Sequence, residues 1–249
     1  MANSNNHLLS VIVPSYRQAK TIVRNIKRLE NTLKKIRYPY EIIVVVDGFG
    51  DGTYRAVKKI VSPSVKALVY QKNQGKGHAV RIGMQKAKGD YIAFIDAGRE
   101  IDPNGLSMLL EHLEWYKADV IIGSKRHPVS IVTYPLSRKI LSTGYQLIIR
   151  VLFNLKVRDT QAGLKIYKRK VLVKILPRLL VKKYAFDLEM LAVARHLGFK
   201  RIYEAPIKMK YSLGDLTHAS TLNAIYHILI DTAAIYYRLY ILRYYDRKK

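Results

Sequence analysis

The sequence predicts an α/β fold, with a mostly parallel sheet flanked by helices on both faces. Three observations carry this. Strand-like apolar runs recur at short intervals through the first half: Leu8 to Val13, Glu41 to Val46, Val65 to Tyr70, the run that ends on Asp96, and Asp119 to Gly123. Segments with helical spacing separate them, and alternating β and α units argue for a parallel sheet. Glu41 to Val46 is continuous rather than alternating, as befits a strand buried on both faces.

The elements follow in order. The first strand stops at Pro14. Ala19 to Ile36 places Ile22, Ile26, Leu29 and Leu33 on one helical face. Gly48 to Thr53 is a loop with Asp51 or Thr53 as a helix cap, and the helix it opens runs to about Val61. Gly75-Lys76-Gly77 opens a helix that closes at Gly89, and a strand then ends on Asp96. Asp102-Pro103-Asn104 starts a helix that runs to about Tyr116. The second half changes character. Residues 135–155 read as an amphipathic helix with Lys and Arg at both ends. Asp159 to Gly163 is a polar loop. Leu164 to Tyr167 is a strand, and a short helix follows to Ile175. Asp187 to Leu197 is a helix, and Arg201 to Glu204 and Ile207 to Tyr211 are strands. A tyrosine-rich helix runs from Ala219 to the basic end. The expected division is one domain over 1–211, with halves at about 8–123 and 124–211, and a tail over 212–249.

Composition narrows the function. The chain has 249 residues and no cysteine, so disulfides and zinc–thiolate sites are excluded and a reducing compartment fits. Lys plus Arg is 44 against 18 Asp plus Glu, a net charge of +26. Such a charge calls for a polyanionic neighbour: nucleic acid, an anionic membrane surface or a phosphorylated substrate. No recognition helix or RNA-stacking motif is visible, which disfavours nucleic acid. Met1 to His7 is polar, so no signal peptide is expected. No stretch offers the roughly 20 apolar residues of a membrane span. The best candidates, 139–155 and 222–242, are interrupted by Lys139 and Arg150, and by His227, Asp231 and Arg238.

The densest chemistry lies between Asn73 and Asp96. A glycine-flanked lysine at a helix start offers backbone N–H groups and a cation to an anion. Asp96 closes a strand, and open α/β sheets bind ligands at the carboxyl ends of their strands. A nucleoside diphosphate with a divalent metal would satisfy both. No histidine pair has metal-ligand spacing, and no Ser/His/Asp arrangement is present.

Several motifs, in order, carry a resemblance. They are Val13-Pro14-Ser15-Tyr16, Val46-Asp47-Gly48 with Asp51-Gly52-Thr53, Asn73 with Gly75-Lys76-Gly77, Gly89-Asp90 with Phe94-Ile95-Asp96-Ala97, Asp159-Thr160-Gln161-Ala162-Gly163-Leu164-Lys165, and Ala185-Phe186-Asp187-Leu188-Glu189. Over residues 8 to 211 the chain resembles family-2 glycosyltransferases of the GT-A (Rossmann-like) fold. The similar branch holds dolichyl-phosphate β-glucosyltransferases and dolichyl-phosphate mannose synthases.

The resemblance implies an inverting transfer of a hexose from a nucleotide diphosphate sugar to a polyprenyl, dolichyl-type phosphate. UDP-glucose stands ahead of GDP-mannose as donor, and a peripheral site on the cytoplasmic face of a membrane is implied. Pro14, Ser15, Tyr16, Asp47, Lys76, Asp96 and Ala97 would meet the nucleotide sugar. Mg²⁺ or Mn²⁺ would sit on Asp96, with Glu100 as a further oxygen ligand. Lys125, Arg126, Arg138 and Ser142 would hold the acceptor phosphate, with Asp159 and Gln161 on the adjoining loop. Asp187 and Glu189 would lie at the catalytic centre. The chain departs from the family at four positions, one of them Lys125, where the family often has arginine. Gln18 and Gly98 stand where acids are usual, and Val46 replaces one of a pair of aspartates.

A phosphate acceptor is already anionic at neutral pH and needs no protein base. A sugar-hydroxyl acceptor would need one, and Asp187 is the candidate for that rival activity. A basic nucleic-acid-binding protein on the same fold is the non-enzymatic rival. The tail carries Tyr236, Tyr237, Tyr240, Tyr244 and Tyr245 among Arg238, Arg243, Arg247, Lys248 and Lys249. A basic amphipathic helix of this kind reads as a membrane-surface element. Oligomeric state is left open, a homo-oligomer included.

Overall fold

The computed structural model describes residues 7–98, 101–132, 136–209 and 222–247, and side chains for all of these except 132, 136–142 and 222. Nine strands and eight α-helices occur among them. The first half alternates strictly: β1 (Leu9–Ser15), α1 (Ile22–Leu33), β2 (Tyr40–Asp47), α2 (Thr53–Lys58), β3 (Val65–Tyr70), α3 (Lys76–Lys86), β4 (Tyr91–Ile95), α4 (Gly105–Trp115) and β5 (Val120–Ser124). After it come β6 (Ile131–Val132), α5 (Leu136–Phe153), β7 (Leu164–Lys168), α6 (Arg169–Ile175), α7 (Phe186–His196), β8 (Ile202–Pro206), β9 (Lys208–Met209) and α8 (Leu222–Tyr236).

Seven strands form one sheet in the order β3-β2-β1-β4-β7-β5-β8. All its pairings are parallel except those of β7, which runs antiparallel between β4 and β5. The alternation that predicts a parallel sheet therefore holds, with one strand from the second half inserted into it. β6 and β9 pair separately.

The strands bury both faces. On β2, Ile43 and Val45 point to one side with Ile12, Phe94, Ile122 and Tyr167, where α3, α6 and α7 cover them. Ile42, Val44 and Val46 point to the other, with Val11, Val13 and Ala93, under α1 and α4. Ile22, Ile26, Leu29 and Leu33 form the buried stripe of α1, as its spacing requires.

Local differences from the sequence reading have physical causes. The cap expected at Asp51 or Thr53 takes another form: Gly52 occupies the N-cap position in a left-handed conformation. Asp51 reaches over it, and its Oδ1 accepts from the Thr53 amide at 3.1 Å. α7 begins one residue before Asp187, behind Ala185. The tyrosine-rich tail is not one helix. α8 gives way to a π turn, Tyr237–Ile241, breaks at Arg243 in the left-handed region, and ends in a 3₁₀ turn, Tyr244–Asp246. Ile235, Leu239 and Tyr245 from this segment are buried in the core beneath α7. Residues 219–221 and Tyr211, expected in elements, lie outside the described residues.

Candidate active site

The carboxyl ends of β1, β2 and β4 open on one edge of the sheet, where α3 also begins. The strand pairing explains why the motif residues gather there. Leu9 pairs with both Tyr40 and Tyr91, so Ser15, Asp47 and Asp96 close three adjacent strands.

Asp47 is buried, and its carboxylate is engaged by the segment that follows β3. It accepts from Tyr70 Oη at 2.7 Å, Asn73 Nδ2 at 2.9 Å, the Gln74 amide at 2.7 Å and the Gly75 amide at 2.9 Å. These bonds fix the turn that launches α3. Gly75 has φ +101°, which an L side chain rarely adopts, and a Cβ there would meet Lys182 O at 2.7 Å. The next residue, Lys76, is the first of α3, so its ammonium shares one place with the amides that open the helix, of which that of His78 donates to Lys182 O.

Lys76 Nζ lies 2.5 Å from Asp96 Oδ1. Burial pulls the Lys76 ammonium down, but the carboxylates of Asp96 and Asp187 outweigh it and hold its pKa above the ordinary value. The two side chains are 38% and 39% exposed, so solvent screens part of their attraction. Asp96 is held by its backbone: its amide donates to Gly163 O at 3.0 Å. A Cβ on Gly163 would sit 2.2 Å from Asp96 Oδ2, so only glycine lets the entry to β7 approach this carboxylate. Ala97 O accepts from Asn25 Nδ2 at 2.7 Å, and a small cleft between α1 and the end of β4 adjoins Asp96 and Gly98.

Beneath this edge lies a second pair. Lys165, with no exposure, donates from Nζ to Asp187 Oδ1 at 2.5 Å and to Ala162 O at 2.6 Å. Burial lowers the Lys165 pKa and raises that of Asp187, each opposed by the other's charge. Both lysines stand near the Phe94 ring, Lys165 at 5.1 Å and Lys76 at 5.8 Å. Charges therefore alternate: Asp96, Lys76, Asp187, Lys165. Lys165 belongs to the Asp159–Lys165 motif, and its pairing with Asp187 is not expected from the sequence. Its signal is a lysine one residue into a strand whose neighbours are all apolar.

The remaining candidates divide. Pro14 and Ser15 end β1; Ser15 is buried and its hydroxyl has no hydrogen-bond partner. Tyr16 is half exposed with the Arg17 guanidinium 5.2 Å from its ring centroid. Lys125 and Arg126 follow β5. The Lys125 amide donates to Asp159 Oδ2 at 3.0 Å, which brings the expected acceptor loop beside them. Asp159 is buried and its own amide donates to Glu204 Oε1; Gln161 is partly exposed. Glu189 is buried away from this edge, where its carboxylate accepts from the Leu180 and Val181 amides and from Tyr245 Oη. Burial raises its pKa despite these donors. The side chains of Arg138 and Ser142, and all of Glu100, lie outside the described residues.

A glycine-turned helix start, a lysine and a strand-end aspartate thus meet on one sheet edge. Residues 10–176 match the profile of Glycosyl transferase family 2. The chain belongs to glycosyltransferase family 2. Among its relatives, the dolichyl-phosphate β-glucosyltransferase of Dictyostelium discoideum is 31% identical over 208 residues, 78% of this chain and 64% of that protein. The enzyme of the same description from Drosophila melanogaster is 33% identical over 205 residues, 76% of this chain and 63% of that one. This family-2 chain thus spans slightly under two thirds of the length of these relatives. Solved structures share the GT-A fold. Mannosyl-3-phosphoglycerate synthase from Rubrobacter xylanophilus superposes with a TM-score of 0.69 at 19% identity, covering 95% of this chain and 75% of that one. Glucosyl-3-phosphoglycerate synthase from Mycobacterium tuberculosis, solved with Mn²⁺, UDP and phosphoglyceric acid, gives 0.68 at 16%, covering 93% and 78%.

Proposed function

We propose that this chain moves a hexose, with inversion, from a nucleoside diphosphate sugar to a polyprenyl phosphate of dolichyl type. UDP-glucose is the favoured donor. The observation that carries the reading is the meeting of Lys76 and Asp96 at the start of α3. The 31–33% identity to dolichyl-phosphate β-glucosyltransferases supports the acceptor and the sugar.

In this reaction an acceptor phosphate oxygen bonds to the anomeric carbon as the bond from that carbon to the diphosphate breaks. The electron pair of the broken bond goes to the diphosphate. The Lys76 ammonium and the Lys76 and Gly77 amides that open α3 meet that charge, in the manner of helix N-termini at phosphates. Asp96 is the residue that would hold Mg²⁺ or Mn²⁺. Among the described residues no three acidic, histidine or cysteine side chains converge on a metal position, so an all-protein cage is not built. One hard carboxylate with diphosphate oxygens suffices for such an ion, and Asp96 fits that role. When bound, the metal would offset the negative charge of the departing diphosphate. Asp187, paired with Lys165 below the edge, is poorly placed to act as a free base. That favours a phosphate acceptor, which needs none, over a sugar hydroxyl.

The test is label transfer from UDP-glucose and from GDP-mannose, with polyprenyl phosphate or a neutral glycolipid as acceptor. We expect organic-extractable label with the phosphate acceptor and more of it from UDP-glucose. Transfer to the glycolipid alone would return Asp187 to the role of base. No transfer, with salt-dependent binding to nucleic acid, would favour the non-enzymatic reading.

The acceptor implies work at a membrane surface. No helix among the described residues is long and apolar enough to cross a membrane. α5 and α8 touch through Tyr145 Oη and Thr232 Oγ1 at 2.8 Å and through the Phe153 and Tyr236 rings. Their outward faces expose Leu147, Val151, Leu229 and Ile230, and the π turn adds Tyr237 and Ile241. Apolar side chains on a chain of net charge +26 suit the interface of an anionic bilayer. Removing the tail would strip buried Leu239 and Tyr245 from the core, so point changes on the exposed face are the cleaner probe. Val151→Asp with Ile241→Asp is expected to weaken sedimentation with anionic liposomes about 10-fold, at unchanged melting temperature. Undiminished sedimentation would reject this face.

A further inference from the structure

The C-terminal segment is tied to the donor turn by a run of hydrogen bonds that starts at a buried tyrosine. The 3₁₀ turn after Arg243 returns Tyr245 under α7, where it has no exposure. Its hydroxyl donates to Glu189 Oε1 at 2.7 Å, and its carbonyl accepts from Arg178 Nε at 2.9 Å. The same Glu189 carboxylate accepts from the amides of Leu180 at 3.0 Å and Val181 at 2.9 Å. A buried carboxylate is costly unless donors surround it, and here the donors come from two separate segments. Glu189 thus joins the tail to residues 179–183.

Residues 179–183 are in turn the wall of the donor turn. Lys182 O accepts from the His78 amide at 3.0 Å, and Leu179 O from Arg81 Nη1 at 2.7 Å. Lys182 Nζ donates to Gln74 Oε1 at 3.2 Å. The approach leaves no room for side chains: a Cβ at Gly77 would fall 2.5 Å from Phe186 Cβ and 2.9 Å from Lys182 O. Any displacement of this wall must move the first turn of α3, and Lys76 with it.

We propose that Tyr245 and Glu189 are positioning residues for the donor turn: the C-terminal segment sets where Lys76 and the α3 amides stand, and so how tightly a nucleoside diphosphate binds. The proposal deepens the reading of residues 73–77 as the diphosphate cradle and rests on it. Neither residue touches the reacting atoms. By linkage, a ligand that orders the donor turn must tighten the tail to the same degree.

Amide hydrogen exchange on the full, ligand-free chain tests the coupling directly. Tyr245→Phe removes one hydroxyl and keeps the ring. We expect the amides of Lys76 to Ala79, His78 above all, to exchange roughly 10-fold faster, while α1 is unchanged. UDP titrated by calorimetry should bind roughly 5- to 10-fold more weakly to the variant, and the KM for UDP-glucose should rise with little change in kcat. Glu189→Gln should act in the same direction. If it does not fold, Tyr245→Phe still decides the matter. A merely structural role would lower the melting temperature and speed exchange evenly, and that result would overturn the proposal. Faster exchange at Leu180 and Val181 that stops short of His78 would overturn it as well. Should wild type bind neither UDP nor another nucleoside diphosphate, the donor assignment fails, and exchange at His78 alone upholds or rejects the coupling.

Discussion

Asp96→Asn lowers kcat about 100-fold or more, the scale expected when a group that meets transition-state charge is removed. The change keeps the side chain's size and its place after β4, so folding should survive; 39% of the side chain is exposed. Two effects follow from the loss of one charge. The diphosphate loses the carboxylate that would bring its metal counter-ion. Lys76 loses the anion now 2.5 Å from its ammonium and becomes freer to grip the diphosphate. Donor KM should therefore stay level or fall while kcat collapses, a split that a misfolded variant would not give. The measurement is initial rate against UDP-glucose concentration, with and without chelator. Chelator-resistant wild-type turnover together with an active Asp96→Asn enzyme would remove the metal assignment.

Lys165→Met has the largest expected effect on stability, a loss of about 3–5 kcal/mol. The methionine fills much of the same space but leaves Asp187 buried without its cation, and an unpaired buried carboxylate is strongly destabilising. Thermal unfolding would register this as a drop of roughly 10 °C. The pH dependence has a definite sign. Burial holds the Asp187 pKa above its unfolded value of 3.8 even beside Lys165, and more so without it. Between the unfolded and folded pKa values the native state then carries a proton that the unfolded chain lacks. Stability contributed by that proton is present in acid and is lost as pH rises through the folded pKa. The deficit of Lys165→Met should accordingly be smaller in mild acid than at neutral pH. Adding Asp187→Leu should restore most of the stability, since replacing both ions with apolar groups is close to neutral. A deficit that grows on acidification, or none at all, would contradict the buried ion pair.

How much of this was legible in the sequence depends on whether the signal is local. The β2 run and the α1 stripe were readable because burial writes itself into consecutive residues. The edge that joins Lys76 and Asp96 was readable because parallel strands of similar length end together. The insertion of β7 was not. Its pairing joins Ile95 to Leu164 across a long stretch of chain, and nothing within Leu164–Lys168 declares its direction. Lys165 stands in a motif with no role assigned to it, because its partner lies 22 residues away. Asp47 shows the limit for a single acid after a strand. The sequence cannot tell whether a ligand or the chain's own loop will claim it, and here Tyr70, Asn73, Gln74 and Gly75 do. Composition alone does not sort the tail's tyrosines, because those that suit an interface also suit a core: Tyr245 is in the core and Tyr237 is exposed.

The antiparallel strand has a consequence for the birth of the molecule. β5 meets β4 only through β7, and Asp96 takes its backbone anchor from Gly163. A nascent chain that has emerged only as far as Ser124 therefore has β3, β2, β1 and β4 ready to pair, but β5 has no neighbour to join. The sheet stays open at β4, with one edge of bare amides and carbonyls, until some forty more residues leave the ribosome. During that interval the unfinished edge is the surface most exposed to wrong pairing, the hazard of any unpaired strand edge. The backbone anchor of Asp96 and the pairing of β5 to the rest of the sheet thus arrive together, when β7 enters between β4 and β5.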